Sequence, residues 1–190
     1  MVARIATVAF RGVDAAPVDA QVQIASGLPA FSVVGLPDKA VSESRERVRA
    51  ALGAIGLALP PKRVTVNLAP ADLQKEGAHF DLPIALGLLA AMGALPLDAV
   101  DHHLALGELS LDGRIGGCAG VLPAAVAARR RGLGVICPAA NAAEAAWAGD
   151  DLDIAAAPDL LALIAHLRGE ARLPPPAIEP MLAIDAPAPD

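Results

Sequence analysis

The uncharged run over residues 82–97, LPIALGLLAAMGALPL, lies directly behind a polar turn, and this pairing constrains the chain more than any other stretch. Asp81 stands ahead of the run, Pro83 falls in the first turn that a helix would have, and Gly93 follows Met92. An acid at the start, proline just inside and glycine just beyond the end suit the unpaired N–H and C=O groups of helix termini. The pattern therefore predicts a helix from Asp81, acting as N-cap, to Met92. The run is shorter than a bilayer span and is interrupted by Pro83, Gly87, Gly93 and Pro96, so a buried core helix is expected and not a membrane one. Upstream, residues 63–68 alternate and carry Val64, Thr65 and Val66, a strand that ends at Ala69-Pro70 where proline removes a ladder donor. Between strand and helix, Asp72, Gln74, Lys75, Glu76 and His79 surround Gly77. Polar residues at a helix N-terminus face free N–H groups and the positive end of the dipole, which suits anion binding or catalysis. The turn contains no Ser, Thr or Cys, however, so nucleophilic catalysis lacks its usual atom. A capped core helix with a solvated turn is the other reading.

The remainder divides into short elements. Residues 3–10 and 18–25 alternate apolar and polar positions about a central turn and predict a hairpin with one wet face; residues 31–34 add a third strand to this antiparallel start. A helix is expected from Lys39 to Ile55, with Val41, Val48, Leu52 and Ile55 at helical spacing and Gly56 as the stop. Short strands are read at 103–106 and 109–111, with Asp112-Gly113 as a hairpin turn. A helix over 121–131 ends in Arg129, Arg130 and Arg131 ahead of Gly132. Residues 135–137 form a buried strand, Asn141 caps a short helix holding Trp147, residues 152–155 are a brief strand, and 158–167 close the domain as an amphipathic helix. A β-rich start followed by βαβ units indicates an α/β sandwich with a mixed sheet. From Pro174 the composition turns to proline, alanine and acid, so the domain is expected to span 1–172 and a Pro-rich linker 173–190.

Composition narrows function. The net charge of −6 gives no general attraction to nucleic acid, although local clusters can still bind it. Tyr is absent and aromatics are 2%, which leaves few platforms for stacking bases. Cys118 and Cys137 lack metal or disulfide-scaffold spacing, which fits a reducing cytoplasm. Arg4 and Arg11 flank an alternating segment without the apolar core of a signal peptide. His79, His102, His103 and His166 show no metal-ligand spacing, so no metal site is expected. No Gly is followed by Lys, so the nucleotide-binding G-x-x-x-x-G-K-[ST] loop is absent from this sequence.

Three segments, FSVVGLPDKAVSESRERVRAAL, KEGAHFDLPIALGLLAAMG and GELSLDGRIGGCAGVLPAAVAARRRG, in this order, resemble the N-terminal domain of the magnesium-chelatase-like AAA+ ATPases, the ComM and YifB family. The resemblance covers nearly the whole chain and implies the fold of the Lon proteolytic domain, a ribosomal-protein domain 2-like α/β sandwich. Lon-type proteolysis uses a Ser-Lys dyad. Matching Glu76-Gly77-Ala78-His79-Phe80-Asp81 to the serine turn places His79 at the serine, and matching Gly113-Arg114-Ile115 onward places Leu122 at the lysine. Both catalytic groups are missing, so the resemblance implies a non-catalytic domain that neither hydrolyses ATP nor cleaves protein. It also implies that an AAA+ module follows, binding ATP and Mg, so that the chain is expected to be a truncated front domain.

For the whole protein the resemblance implies a hexameric, ATP-driven ring motor on DNA, with helicase-like branch migration in recombination or natural transformation. This domain would supply contacts to neighbouring subunits and to DNA. The candidate contact residues are Arg45, Arg47, Arg49, Lys62, Arg63, Lys75, Arg129, Arg130 and Arg131. Glu43 and Glu46 stand among the first three, so intrahelical pairing is the plainer expectation for them. Two alternatives stay open: a degenerate hydrolase using His79 with a nucleophile such as Ser110, and a protein-interaction module with no DNA role.

Overall fold

The computed structural model describes residues 2–177 of the chain. Nine strands, β1 (Val2–Arg11), β2 (Asp14–Ala25), β3 (Ala30–Val34), β4 (Arg63–Ala69), β5 (His103–Ala105), β6 (Glu108–Leu109), β7 (Ile115–Gly116), β8 (Gly134–Pro138) and β9 (Ile154–Ala157), alternate with six helices. The helices are α1 (Lys39–Ser42), α2 (Ser44–Ala54), α3 (Asp81–Ala91), α4 (Val121–Arg130), α5 (Ala142–Ala146) and α6 (Leu160–Leu167). Seven strands form one mixed sheet in the order β3-β4-β2-β1-β5-β8-β9, and β6 and β7 make a separate two-stranded ladder. The fold is α/β with a mixed sheet, as the pattern of elements predicts.

The period-2 alternation of β1 sets the layers. Ala3, Ile5 and Ala9 point to one face of the sheet and join a core with α2, α3 and α6. Val8 belongs to a second core, on the other face, with Val121, Ala124, Ala125 and Ala128 of α4. β2 and β4 bury Val18, Ala20, Val22, Val64, Val66 and Leu68 on the α3 side only. Residues Asp14–Ala25 and Arg63–Ala69 pair antiparallel with Val22 opposite Val66, so Gln21 and Asn67 meet on the opposite, wetter face.

The apolar run does become the central helix. Every residue of α3 from Asp81 to Ala90 is buried, as expected for a helix covered on all sides. Gly87 is required there: a Cβ at this position would lie 2.5 Å from Val22 Cγ2, so glycine lets α3 settle onto β2.

Several expectations are corrected. β3 does not join the hairpin antiparallel; it pairs parallel to β4, because the free edge of β2 is already taken by β4. The helix expected over 39–55 breaks at Glu43, which lets Ser44 start α2 facing inward. Leu111 lies in the turn after β6, since Asp112 and Gly113 close a ladder only two residues long. Asp81 is the first residue of α3 and not its cap; Phe80 holds the cap position. Asn141 makes no side-chain cap to α5; its amide exchanges hydrogen bonds with the Cys118 backbone and donates to Glu144. Trp147 stands just past α5. The last strand is shifted to Ile154–Ala157, and Asp159 caps α6 by accepting from the Ala162 N–H. Leu173, placed by sequence at the start of the linker, packs on the main core and donates its N–H to His166 Nδ1. The remainder of the Pro-rich segment, 178–190, lies outside the described residues.

Leu86 and Leu89 are fully buried on α3. Truncation of either to Ala should cost about 2–5 kcal/mol in denaturant melts, the range for deleting a core leucine side chain. A cost below about 1 kcal/mol would mean that α3 is not the centre of the core.

Candidate functional site

The front of α3 gathers the polar groups of the preceding turn. Residues 78–80 form a single 3-10 turn that carries His79 under the sheet, where Nε2 lies 2.7 Å from the Val8 carbonyl. A carbonyl only accepts, so Nε2 holds the proton and Nδ1 keeps a lone pair. The imidazole packs at a tilt against Phe80 and Phe10, with ring centroids 4.2 and 5.1 Å away. Only 7% of His79 is exposed, and burial pushes its pKa below the usual histidine range, which keeps the ring neutral.

Two residues on, Asp81 is completely buried and tied to two other elements, α2 and β6. Arg47 of α2 grips it with both ends of its guanidinium fork, Nε to Oδ2 at 2.6 Å and Nη2 to Oδ1 at 3.0 Å. Ser44 Oγ donates to Oδ1, and the Leu109 N–H of β6 donates to Oδ2 at 3.1 Å. The hydrogen bond to Asp81 raises the Arg47 pKa further, and the guanidinium stays charged.

A cleft of about 590 Å³ opens beside this knot, lined by Phe10, Asp38, Glu76, His79, Glu108 and Cys118 among others. Nothing in the sequence marked Phe10, Asp38, Glu108 or Cys118 as neighbours of His79, since they lie on β1, ahead of α1, on β6 and ahead of α4. The Cys118 thiol is pushed up to about 12, first by burial and then by Glu144 and Glu108, so at neutral pH it is not a thiolate nucleophile. Ser110 sits in the turn after β6 and does not line the cleft. Leu122, at the position matched to a catalytic lysine, offers the cleft no ionisable group; its backbone N–H donates to Glu144 Oε1 at 3.0 Å.

The nine basic candidates separate into three groups. Arg47 and Lys75 turn inward: Arg47 is held by Asp81, while Lys75 is fully buried with Nζ donating to the Pro70 carbonyl, and burial lowers its pKa. Both side chains are thus engaged within the domain. Arg45, Arg49, Lys62 and Arg63 lie around the start of β3 and β4. There a groove of about 520 Å³ is lined by Pro29, Phe31, Arg49, Leu59, Pro61 and Lys62. Arg45 flanks it by donating to the Phe31 carbonyl at 3.3 Å, whereas Arg63, the first residue of β4, alternates away from it, since the next residue, Val64, lines the groove. The ion pair from Arg49 to Glu46 spans 4.0 Å between exposed side chains, so it holds Arg49 only weakly. Arg129, Arg130 and Arg131 lie at the end of α4, on the opposite face of the sheet, where Arg129 pairs with Asp151 at 2.8 Å.

Residues 20–141, from β2 to the start of α5, match the family model of ChlI, described as subunit ChlI of Mg-chelatase. The chain belongs to this magnesium-chelatase-like family. It is 43% identical over 166 residues to competence protein ComM of Haemophilus influenzae, covering 87% of this chain and 32% of that protein. It is 45% identical over 138 residues to YifB of Salmonella typhimurium, which covers 73% of this chain and 27% of that protein. YifB of Escherichia coli is likewise 45% identical, over 130 residues that cover 68% of this chain and 26% of that protein. The chain thus spans about a third of the length of the relatives it matches. Among the described residues no helix is long and apolar enough to cross a membrane.

The depressed pKa of His79 gives a pH signature. The unfolded chain, with histidine near its ordinary value of about 6.5, takes up the proton first as pH falls. Stability contributed by the neutral ring is therefore present above that value and is lost as pH falls below it toward the lower pKa of the folded state. Replacing His79 by Gln should flatten this part of a urea-midpoint profile relative to the parent chain. Parallel profiles for both would show that His79 is not titrating out of a buried site.

Proposed function

We propose that this chain is the non-catalytic front domain of a ComM-like AAA+ ATPase, a ring motor driven by ATP hydrolysis on DNA in branch migration during recombination or natural transformation. In this reading the domain has the Lon proteolytic-domain arrangement without its dyad and supplies contacts to DNA and to neighbouring subunits. The observation that carries the proposal is the meeting of Arg49 of α2 and Lys62, just ahead of β4, on one groove with Arg45 at its rim, from two segments separate in sequence. The identity to a protein named for competence supports it. ATP and Mg would be bound by an AAA+ module elsewhere in the whole protein. Such a machine works in the cytoplasm, where the free thiols Cys118 and Cys137 persist.

The hydrolase alternative is disfavoured by the site itself. His79 Nε2 is engaged by Val8, Ser110 lies outside the cleft, and the Cys118 thiol is protonated. A domain with net charge −6 holds DNA weakly through the cations of one groove, whereas a ring presents several such grooves to one duplex and multiplies the contacts through effective concentration.

The test is DNA binding by the full-length protein in its assembled state, with and without Arg49→Glu and Lys62→Glu, over a salt series. Loss of two phosphate contacts should weaken binding and lower the slope of log affinity against log salt by about 1.8. Unchanged affinity and slope in variants that still assemble would remove the groove from DNA contact and favour a protein-interaction module.

A further inference from the structure

We propose that the cleft in front of His79 binds the cationic side chain of a polypeptide segment, with arginine as the best fit. This site is separate from the basic groove and does not depend on the DNA reading. Its walls present acceptors. Glu76 and Glu108 supply two carboxylates, Asp38 adds negative charge while its oxygens accept from the Val41 and Gly77 N–H groups, and no Lys or Arg lines the cleft. Among the described residues neither Glu76 nor Glu108 has an ion-pair partner. The nearby cations are already engaged, Lys75 by the Pro70 carbonyl and Arg47 by Asp81.

His79 is an independent pointer to the ligand. It is more than nine-tenths buried, its Nε2–H is fixed on Val8, and its Nδ1 lone pair has no partner among the described residues. Nδ1 faces Gly77, which lines the cleft: a Cβ on Gly77 would stand 3.2 Å from it. A neutral imidazole held in this tautomer accepts a hydrogen bond and repels no cation.

Phe10 supplies a third element. Its ring lines the cleft and is seated by Gly120, where a Cβ would come within 2.4 Å of Phe10 Cζ. An aromatic face beside carboxylates suits a planar guanidinium, which stacks on the ring while donating to the acids. The acids do not form a metal site, because among the described residues no group of three His, Cys, Asp or Glu is placed to hold an ion. The volume of about 590 Å³ admits a side chain with its flanking backbone.

The experiment is an NMR titration of the isotopically labelled 190-residue chain with acetyl-Ala-Arg-Ala-amide. Acetyl-Ala-Gln-Ala-amide and spermidine serve as parallel probes. Saturable shifts should centre on the amides of Gly77, His79 and Cys118, with the glutamine peptide giving none. Glu76→Gln with Glu108→Gln should weaken arginine-peptide binding roughly fivefold or more. Asp98→Asn with Asp150→Asn changes the net charge equally but away from the cleft, and should leave binding unchanged. Shifts scattered over the acidic surface, equal weakening by both variant pairs, or equal binding of the glutamine peptide would overturn the proposal. Spermidine occupying the same amides as tightly as the arginine peptide would overturn its assignment to a polypeptide side chain.

Discussion

The ion pair between Arg47 and Asp81 is the constraint on which the front of this domain depends. A carboxylate with no solvent contact is costly unless its lone pairs are met, and here the guanidinium fork, the Ser44 hydroxyl and the Leu109 N–H meet them together. Each donor comes from a different place: the body of α2, its first residue, and β6. The pair therefore fixes the position of α2 against α3 and anchors the β6–β7 ladder to the helix start. Because His79 precedes Asp81 by two residues in the same tight turn, its approach to the Val8 carbonyl is fixed by the same knot.

The same knot holds the polar groups at the front of α3 in place. The helix N-terminus, the turn before it and a cleft of about 590 Å³ lie side by side. The residues in them serve other ends: the imidazole is a neutral acceptor, the lysine of the turn holds a carbonyl, and the thiol is protonated. Membership of the magnesium-chelatase-like family accounts for the scaffold, and the charges on its surface distinguish what it can contact.

Much of the fold was legible because local pattern and tertiary role agree. The alternation of β1 and β2 and the apolar density of α3 each report burial, and the sheet layers follow from them. The candidate site was less legible, for a physical reason. An acid at a helix start serves equally as a cap to its own backbone or as a partner to an arginine 34 positions earlier, and local sequence does not separate the two. The same limit hid the split among Arg45, Arg47 and Arg49: one helix carries all three, and only the packing of α2 on α3 turns the middle one inward. Glu108 belongs to no motif, and it reaches the cleft because β6 is drawn to Asp81. The pairing of β3 depends on β4 occupying the edge of β2, a long-range arrangement invisible in a five-residue segment.

The central claim is that the buried pair organises the domain, and a double-mutant cycle measured by urea unfolding tests it most directly. Arg47→Met leaves the Asp81 carboxylate buried without its counter-charge and should cost about 3–5 kcal/mol. Adding Asp81→Leu removes that stranded charge, so the double variant should be more stable than Arg47→Met alone. A single-variant cost below about 1 kcal/mol, or a double variant whose loss is the simple sum of the two, would show that the pair is a bystander to a structure held by its apolar core.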